Sequence, residues 1–317
     1  MISVVVPVCN EKESLEAFYD ELITVVPELD EKYEILFIDD GSTDTSLEIL
    51  KAFEQKNHHV RVFSFRRNLG KSEALTFGFA QAKGEYIVTL DADLQDKPSE
   101  IHKLLAKAKE GIEVVCGWRQ KQKRSGPMIF ISKIFNGILQ SLFGLNIHDY
   151  NCGLKVYTKD AAKSLRLYGG LHRFIPILAS QQGFVIDEVA VVHEQRKFGK
   201  SKYGFSKLWK DLPDLFSMFF LAKYSKRPLH FFGTVGLIFI VIGLLILAYL
   251  TVLHFMGESI FRRPLLIFGV LFEVAGLQIF FTGFLADLMI NIAHSPKLLN
   301  EENIHFPLKY SSDKGEK

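Results

Sequence analysis

From Met1 to about Val192 the chain alternates short apolar runs with amphipathic stretches. Ile2–Val8, Tyr33–Ile38, Val60–Phe65, Glu85–Leu90 and Glu113–Gly117 are rich in Val, Ile and Phe, which predicts buried strands. Ser14–Val26, Thr45–Gln55 and Lys71–Ala82 lie between them and carry apolar residues at helical spacing. This alternation predicts an α/β domain, a Rossmann-like, mainly parallel sheet covered by helices on both faces. Functional residues in such sheets gather at the carboxyl ends of the strands. Three of those exits are polar: Asn10-Glu11, the run 39–44 and the run 91–96.

The pattern changes near the C-terminus. Phe231 to Phe255 carries no Asp, Glu, Lys or Arg and is long enough to cross a hydrocarbon core of about 30 Å as a helix. A second apolar run extends from Pro264 to Ile292, interrupted by Glu273, Gln278 and Asp287. The short link between them predicts a tight transmembrane hairpin, with a buried soluble helix pair as the alternative. Glu273 would be costly against lipid, so it is expected to face the partner helix or another subunit of a homo-oligomer. Two further segments, Met128–Phe143 and Ser206–Tyr224, have apolar faces beside basic residues and suit helices lying in the headgroup plane, with ordinary core-facing amphipathic helices as the alternative. The expected division is a catalytic domain over 1–205, an interfacial region over 206–228, a two-span hairpin over 229–293 and a cytosolic tail over 294–317.

Composition narrows the function. The 317 residues carry a net charge of only +2, which argues against a nucleic-acid partner. Cys9, Cys116 and Cys152 lack metal-ligand or redox spacing and suit reduced thiols. Met1 leads directly into the first expected strand, so no signal peptide is expected. The expectation is a multi-pass protein of the plasma or inner membrane with its catalytic domain in the cytosol. Lys223, Lys226 and Arg227 before the first span agree with that orientation, whereas Arg262 and Arg263 in the hairpin oppose it.

Asp91-Ala92-Asp93-Leu94-Gln95 follows directly on the apolar run Tyr86-Ile87-Val88-Thr89-Leu90. Carboxylates at i and i+2 of a strand exit point the same way, and a carboxamide two residues on makes an oxygen-only set suited to Mg²⁺ or Mn²⁺. A solvated acidic turn capping the helix near Pro98 is the plainer alternative. For 39–44 a turn at Gly41 and a cap at Asp44 account for part of the run and leave Asp39 and Asp40 to bond a ribose or a base. G-x-x-x-x-G-K-[ST] and G-x-G-x-x-G after the first strand are missing, which disfavours P-loop hydrolases and dinucleotide oxidoreductases, and G-x-S-x-G is absent too.

Val5-Val6-Pro7-Val8-Cys9-Asn10-Glu11, Ile38-Asp39-Asp40-Gly41-Ser42, Arg67-Asn68-Leu69-Gly70-Lys71 and Asp91-Ala92-Asp93-Leu94-Gln95 occur in that order. Together the chain resembles the GT-A glycosyltransferases of family two, in the branch that glycosylates polyprenyl phosphates. Asp149-Tyr150-Asn151-Cys152-Gly153-Leu154, Arg173-Phe174-Ile175-Pro176 and the run 196–203 resemble the aminoarabinose transferases of that branch. The resemblance implies a nucleotide-diphospho-sugar donor held by Pro7, Cys9, Glu11, Ile38, Asp39, Asp40, Asp91, Ala92, Arg119, Arg196 and Lys202. It implies a Mg²⁺ or Mn²⁺ ion on Asp91, Asp93 and Gln95, and a polyprenyl phosphate acceptor near Arg119, Lys133 and Ser201. Asp93, Arg196 and Lys202 then carry catalysis, the last two on a loop that closes over the donor. The sequence departs from the pattern at Cys9, where relatives often have Tyr, and at Lys133, where they often have Arg. It also has Phe284-Leu285-Ala286-Asp287 where bacterial relatives often have a Gly-Glu-Tyr pattern.

The implied reaction is an inverting transfer in which the acceptor phosphate attacks the sugar. A phosphate monoester has its second pKa near 6, so it is mostly dianionic at neutral pH and needs no general base. His172 and His193 are expected to be structural or donor-adjacent. Rival readings are a membrane polysaccharide synthase, whose Q-x-x-R-W signature is missing, and a catalytically silent scaffold that binds nucleotide sugars.

Overall fold

The computed structural model describes residues 1–29, 32–119, 137, 144–194, 220, 224, 227–259, 264–293 and 308–311. The segments 128–136 and 138–143, most of 206–224, and Lys133, Arg196, Ser201 and Lys202 lie outside them. The described chain contains an eight-stranded sheet: β1 (Ile2–Val8), β2 (Tyr33–Asp39), β3 (Val60–Phe65), β4 (Tyr86–Thr89), β5 (Val114–Arg119), β6 (Lys155–Thr158), β7 (Ile186–Val191) and β8 (Leu308–Ser311). Helices α1 (Leu15–Leu29), α2 (Ser46–Lys56), α3 (Lys71–Gln81), α4 (Ile101–Lys109), α5 (Lys159–Ser164) and α6 (Ile175–Gln181) connect its strands. Two long helices, α7 (Pro228–Phe255) and α8 (Pro264–Ala293), follow.

The strand order is β7-β5-β6-β4-β1-β2-β3-β8. β1, β2, β3 and β4 are mutually parallel, and β6 is antiparallel to both β4 and β5. With β5 parallel to β7, six strands therefore share one direction, while β6 and β8 oppose it. The α/β expectation holds, with antiparallel insertions at β6 and β8.

β1 is central because both of its faces are apolar; Val4, Val5 and Val6 are all fully buried. Helix α1 presents Leu15, Phe18, Tyr19, Leu22 and Val26 to the core, the i, i+3/i+4 stripe that its sequence predicts. Tyr19 stacks on Phe53 at 4.0 Å, joining α1 to α2. At the entry edge of the sheet a buried polar network is closed: Glu34 accepts from Ser3 Oγ (2.6 Å), Arg61 (2.9 Å) and the Lys83 N–H (2.7 Å). That end suits stability, since Ser3 Oγ, Arg61 Nη1 and the Lys83 N–H all find the buried Glu34 carboxylate as partner.

The chain divides into two compact units, Met1–Asp214 with His305–Lys317, and Leu215–Ile304. Within the second, α7 and α8 are long and apolar enough to cross a membrane, and their outward faces expose Leu237, Leu245, Ile267 and Phe281. Their contact runs along glycines: a Cβ on Gly236 would stand 2.7 Å from Gly276 O. Glu273 packs against Gly243 of the partner helix, as its cost in lipid predicts, and its Oε1 is buried without a hydrogen-bond partner.

Candidate active site

The shared direction of six strands brings the exits of β1 to β5 and β7 to one edge of the sheet. β6 runs the other way, so the segment before it, 149–154, reaches the same edge. The chain steps outward from β1 to β2 and β3, then returns to β4 on the other side of β1. Such a reversal opens a crevice between the loops that follow the two neighbouring strands. Here those loops are Cys9-Asn10-Glu11 and 91–96.

Asn10 adopts a left-handed backbone (φ 55°), and its Oδ1 accepts from the Thr43 (2.8 Å) and Asp44 (3.3 Å) N–H groups. The exits of β1 and β2 are thereby pinned together. Asp39 is buried and accepts from Ser64 Oγ (2.6 Å) and the Ser42 N–H (3.2 Å). Asp40 is also buried and accepts from the Leu69 N–H (2.7 Å), the Gly70 N–H (3.0 Å) and Asn68 Nδ2 (2.9 Å). Burial pushes the Asp40 carboxyl above its ordinary range despite these donors. Asp40 thus shapes the turn 66–70 from within, while Asp39 ties the exit of β2 to Ser42 and to Ser64 of β3. Gly41 belongs to the same arrangement: at φ +63° its Cα lies against Arg67, where a Cβ would come within 2.3 Å of the backbone.

The loop after β4 is held on every side. Both Asp91 oxygens receive the Lys71 ammonium, at 2.6 and 2.8 Å. Burial would raise the Asp91 carboxyl, but Lys71 outweighs it and holds the group below the usual carboxylate range. Asp93 Oδ1 accepts from the Gln95 N–H (3.2 Å) in a turn whose middle residue, Leu94, is buried at φ 61°. A buried leucine in the left-handed region is a strained position, kept only where its surroundings enforce it. Asp96, 3% exposed, accepts from His193 Nδ1 (2.8 Å), and the Glu194 N–H donates to Gln95 O (2.8 Å). The exit of β7 is therefore stitched to the acidic loop. Beneath the loop lies Gly153, where a Cβ would meet Asp91 Oδ2 at 2.6 Å and Asp96 Oδ2 at 3.1 Å.

At the exit of β5, Arg119 grips Asp149 through two bonds, Nε to Oδ2 at 2.5 Å and Nη2 to Oδ1 at 2.8 Å. Burial raises the Asp149 carboxyl, and the guanidinium reverses this and keeps it ionised. A cavity of ≈ 10 Å³, about one water in size, lies behind Asp91 among Lys71, Thr89, Lys155, Tyr157 and His172. Ser72 Oγ donates to Gly169 O (2.7 Å) and receives the His172 N–H (3.1 Å). Burial and the nearby Lys71 and Arg173 charges lower the His172 pKa to about 3, so the ring is neutral at physiological pH. That fits a structural histidine.

Pro7 is the penultimate residue of β1, and Ile38 and Ala92 are buried. Cys9 is half-buried and its Sγ receives Asn68 Nδ2 at 3.1 Å. The Glu11 N–H bonds Ser46 Oγ (3.1 Å) at the start of α2. Thus Pro7, Cys9, Glu11, Asp39, Asp40, Asp91, Asp93, Gln95 and Arg119 all lie on the exit edge. The sequence reading gave no role to Lys71, Asp149, Lys155, or the Asp96–His193 pair. Lys71 and Asp149 lie within motifs already singled out, yet nothing local marks their partners, 20 and 30 residues away.

Among the described residues no three His, Cys, Asp or Glu side chains converge to hold a metal unaided. The all-oxygen character of Asp91, Asp93 and Gln95 nevertheless fits a hard divalent cation, which commonly completes its shell with water and substrate phosphates. Gly153 fits it too, because a side chain there would displace the first carboxylate.

Residues 3–166 match the family described as Glycosyl transferase family 2. The chain is 34% identical over 299 residues to the dodecaprenyl-phosphate galacturonate synthase of Rhizobium johnstonii, covering 91% of this chain and 87% of that protein. It is 35% identical over 289 residues to the undecaprenyl-phosphate 4-deoxy-4-formamido-L-arabinose transferase of Photorhabdus laumondii, covering 90% and 87%. Among solved structures, glucosyl-3-phosphoglycerate synthase of Mycobacterium tuberculosis, in complex with Mn²⁺, UDP-glucose and phosphoglyceric acid, shares the fold. Its TM-score is 0.54 at 21% identity, over 69% of this chain and 78% of that one.

Proposed function

Because this chain belongs to glycosyl transferase family 2, we propose that it transfers a sugar from a nucleotide-diphospho-sugar to a polyprenyl phosphate at a membrane surface. The observation that carries the proposal is the braced acidic loop 91–96, flanked by Lys71 and Arg119, in a chain with two membrane-length helices. The polyprenyl-phosphate relatives, aligned over about nine-tenths of the chain, support the acceptor class. The neighbour's complex with Mn²⁺ and UDP-glucose supports the donor and ion classes.

In this reading Asp93 and Gln95 face the donor diphosphate together with Asp91. Mg²⁺ or Mn²⁺ bound there would supply Lewis-acid charge for the departing diphosphate. Arg119 has Nε and Nη2 committed to Asp149, which fixes the guanidinium plane and leaves Nη1 to bond a phosphate oxygen. Arg196 and Lys202 follow Glu194, whose N–H bonds the acidic loop, and would add positive charge around the donor. Lys133 and Ser201 would assist the acceptor phosphate. That phosphate is already mostly dianionic and attacks the anomeric carbon directly, with inversion. The catalytic unit works at the cytosolic face of the plasma or inner membrane, with α7 and α8 as its anchor.

The test is transfer of radiolabelled sugar to a short polyprenyl phosphate, using donors chosen by a thermal-shift screen of UDP-, GDP- and deoxysugar-linked compounds with Mn²⁺. Asp93→Ala should abolish transfer while the fold is kept. Transfer at the wild-type rate in D93A, or in excess chelator, refutes the reading. Anomeric NMR showing retention would refute the direct displacement.

A further inference from the structure

Three cations stand among the four carboxylates Asp91, Asp93, Asp96 and Asp149. Lys71 is committed to Asp91 and Arg119 to Asp149. The third, Lys155, is different. It is only 3% exposed and lies at the start of β6, paired across the sheet with Thr89 of β4 and Cys116 of β5. Its ammonium donates to Cys152 O, and among the described residues it forms no ion pair. A buried ammonium satisfied only by a carbonyl is costly, so its retention calls for a reason beyond packing. Its charge acts on Asp91 and Asp149 alike. It also fastens the turn whose next residue, Gly153, supports the acidic loop and whose carbonyl accepts from Thr89 Oγ1 at 2.9 Å.

We propose that Lys155 is a positioning residue whose fixed charge sets how the acidic loop is loaded. It weakens the loop's hold on a bare divalent cation and strengthens its hold on a cation bound to a nucleoside diphosphate. The signs follow from charge alone. A buried positive group repels a lone dication and attracts a complex whose net charge is negative. The inference rests on the donor and metal classes proposed above.

For unit charges about 10 Å apart at an effective dielectric of about 40, Coulomb's law gives roughly a fourfold change in affinity per unit charge. Neutral Lys155→Met should therefore bind Mn²⁺ alone roughly sixteenfold more tightly than wild type, four times four for its two charges. It should bind the Mn²⁺–nucleoside diphosphate complex roughly fourfold more weakly. Lys155→Arg should stay near wild type in both.

The experiment uses the full chain in detergent. Free Mn²⁺ is counted by electron paramagnetic resonance, and UDP and GDP in turn are titrated calorimetrically with Mn²⁺ present. Opposite shifts in K155M, restored by K155R, establish the proposal. A parallel loss of both affinities means that Lys155 merely supports the fold, and overturns it. K155Q serves as a second neutral variant; if neither neutral variant folds while K155R does, the charge is needed for folding and the proposal fails. Should wild type itself bind neither Mn²⁺ nor either nucleotide, the failure lies with the proposed function instead.

Discussion

Gly153→Ala is the smallest change that should disable the site. Gly153 does not sit in the left-handed region, so its backbone accepts alanine without strain. The obstacle is contact: the new methyl would stand 2.6 Å from Asp91 Oδ2 and 2.8 Å from Asp91 Cγ, about 0.8 Å inside the 3.4 Å at which contact becomes ordinary. Asp91 has little freedom to retreat, because both its oxygens are held by Lys71 at 2.6 and 2.8 Å. The turn cannot drop away freely either, since Gly153 O is bonded to Thr89 Oγ1 and Cys152 O to Lys155. Overpacking of this kind costs about 1–3 kcal/mol. In a unit of this size that corresponds to a melting-point drop of about 2–10 °C. A carboxylate displaced by most of an ångström should lower kcat/KM for transfer by about a hundredfold. Gly111→Ala is the control: it has φ +100° and nothing within 4 Å of its Cβ, so it should lose stability and keep activity. Wild-type transfer and Mn²⁺ affinity in G153A would refute the placing of Asp91 at the reacting centre.

The Arg119–Asp149 pair should show itself in pH dependence. The folded Asp149 carboxyl lies below its unfolded value of 3.8, so the pair's contribution is present above that pH and is lost as pH falls through the folded value. Asp149→Asn should cost about 3 kcal/mol at pH 7, and its melting-point gap to wild type should narrow below pH 4; a constant gap would refute the ion pair. His172, with a folded pKa of about 3 against 6.5 unfolded, contributes stability that is full above pH 6.5 and declines as pH falls below it. Wild type should therefore lose up to about 2 kcal/mol relative to H172Q between pH 7 and pH 5, read by thermal denaturation, and equal losses would refute a neutral buried ring. In the hairpin, Gly236→Leu would put a Cβ 2.7 Å from Gly276 O and 2.8 Å from Phe280 N, both backbone atoms that no rotamer change can move. It should lower the melting temperature in detergent, whereas Leu245→Ala on the exposed face should not; equal effects would argue against the glycine contact.

The sequence was informative wherever its signal was local. Five strands and three helices could be read from periodicity because each buries its own apolar stripe, and their limits agree within a few residues. β6, β7 and β8 were not foreseen. β6 is four residues long and carries a buried lysine, which breaks the apolar signal. β7 is half-exposed and carries Asp187 and Glu188, and β8 pairs with β3 from more than 240 residues away.

The same division separates the parts of the site. The acidic loop was legible because two carboxylates and a carboxamide crowd one strand exit. What steadies that loop was not, because Lys71, Gly153, Lys155 and His193 meet it only once the sheet has formed. Asp39 and Asp40 show the opposite effect. As a bare pair of acids after a strand they suit a ligand, yet the fold surrounds them with Ser42, Ser64, Asn68, Leu69 and Gly70 donors. A carboxylate that already accepts three internal hydrogen bonds has little capacity left for a ribose. In the proposed reaction Asp40 would therefore act chiefly through the turn 66–70 that it shapes, and through Lys71, which follows that turn and bonds Asp91.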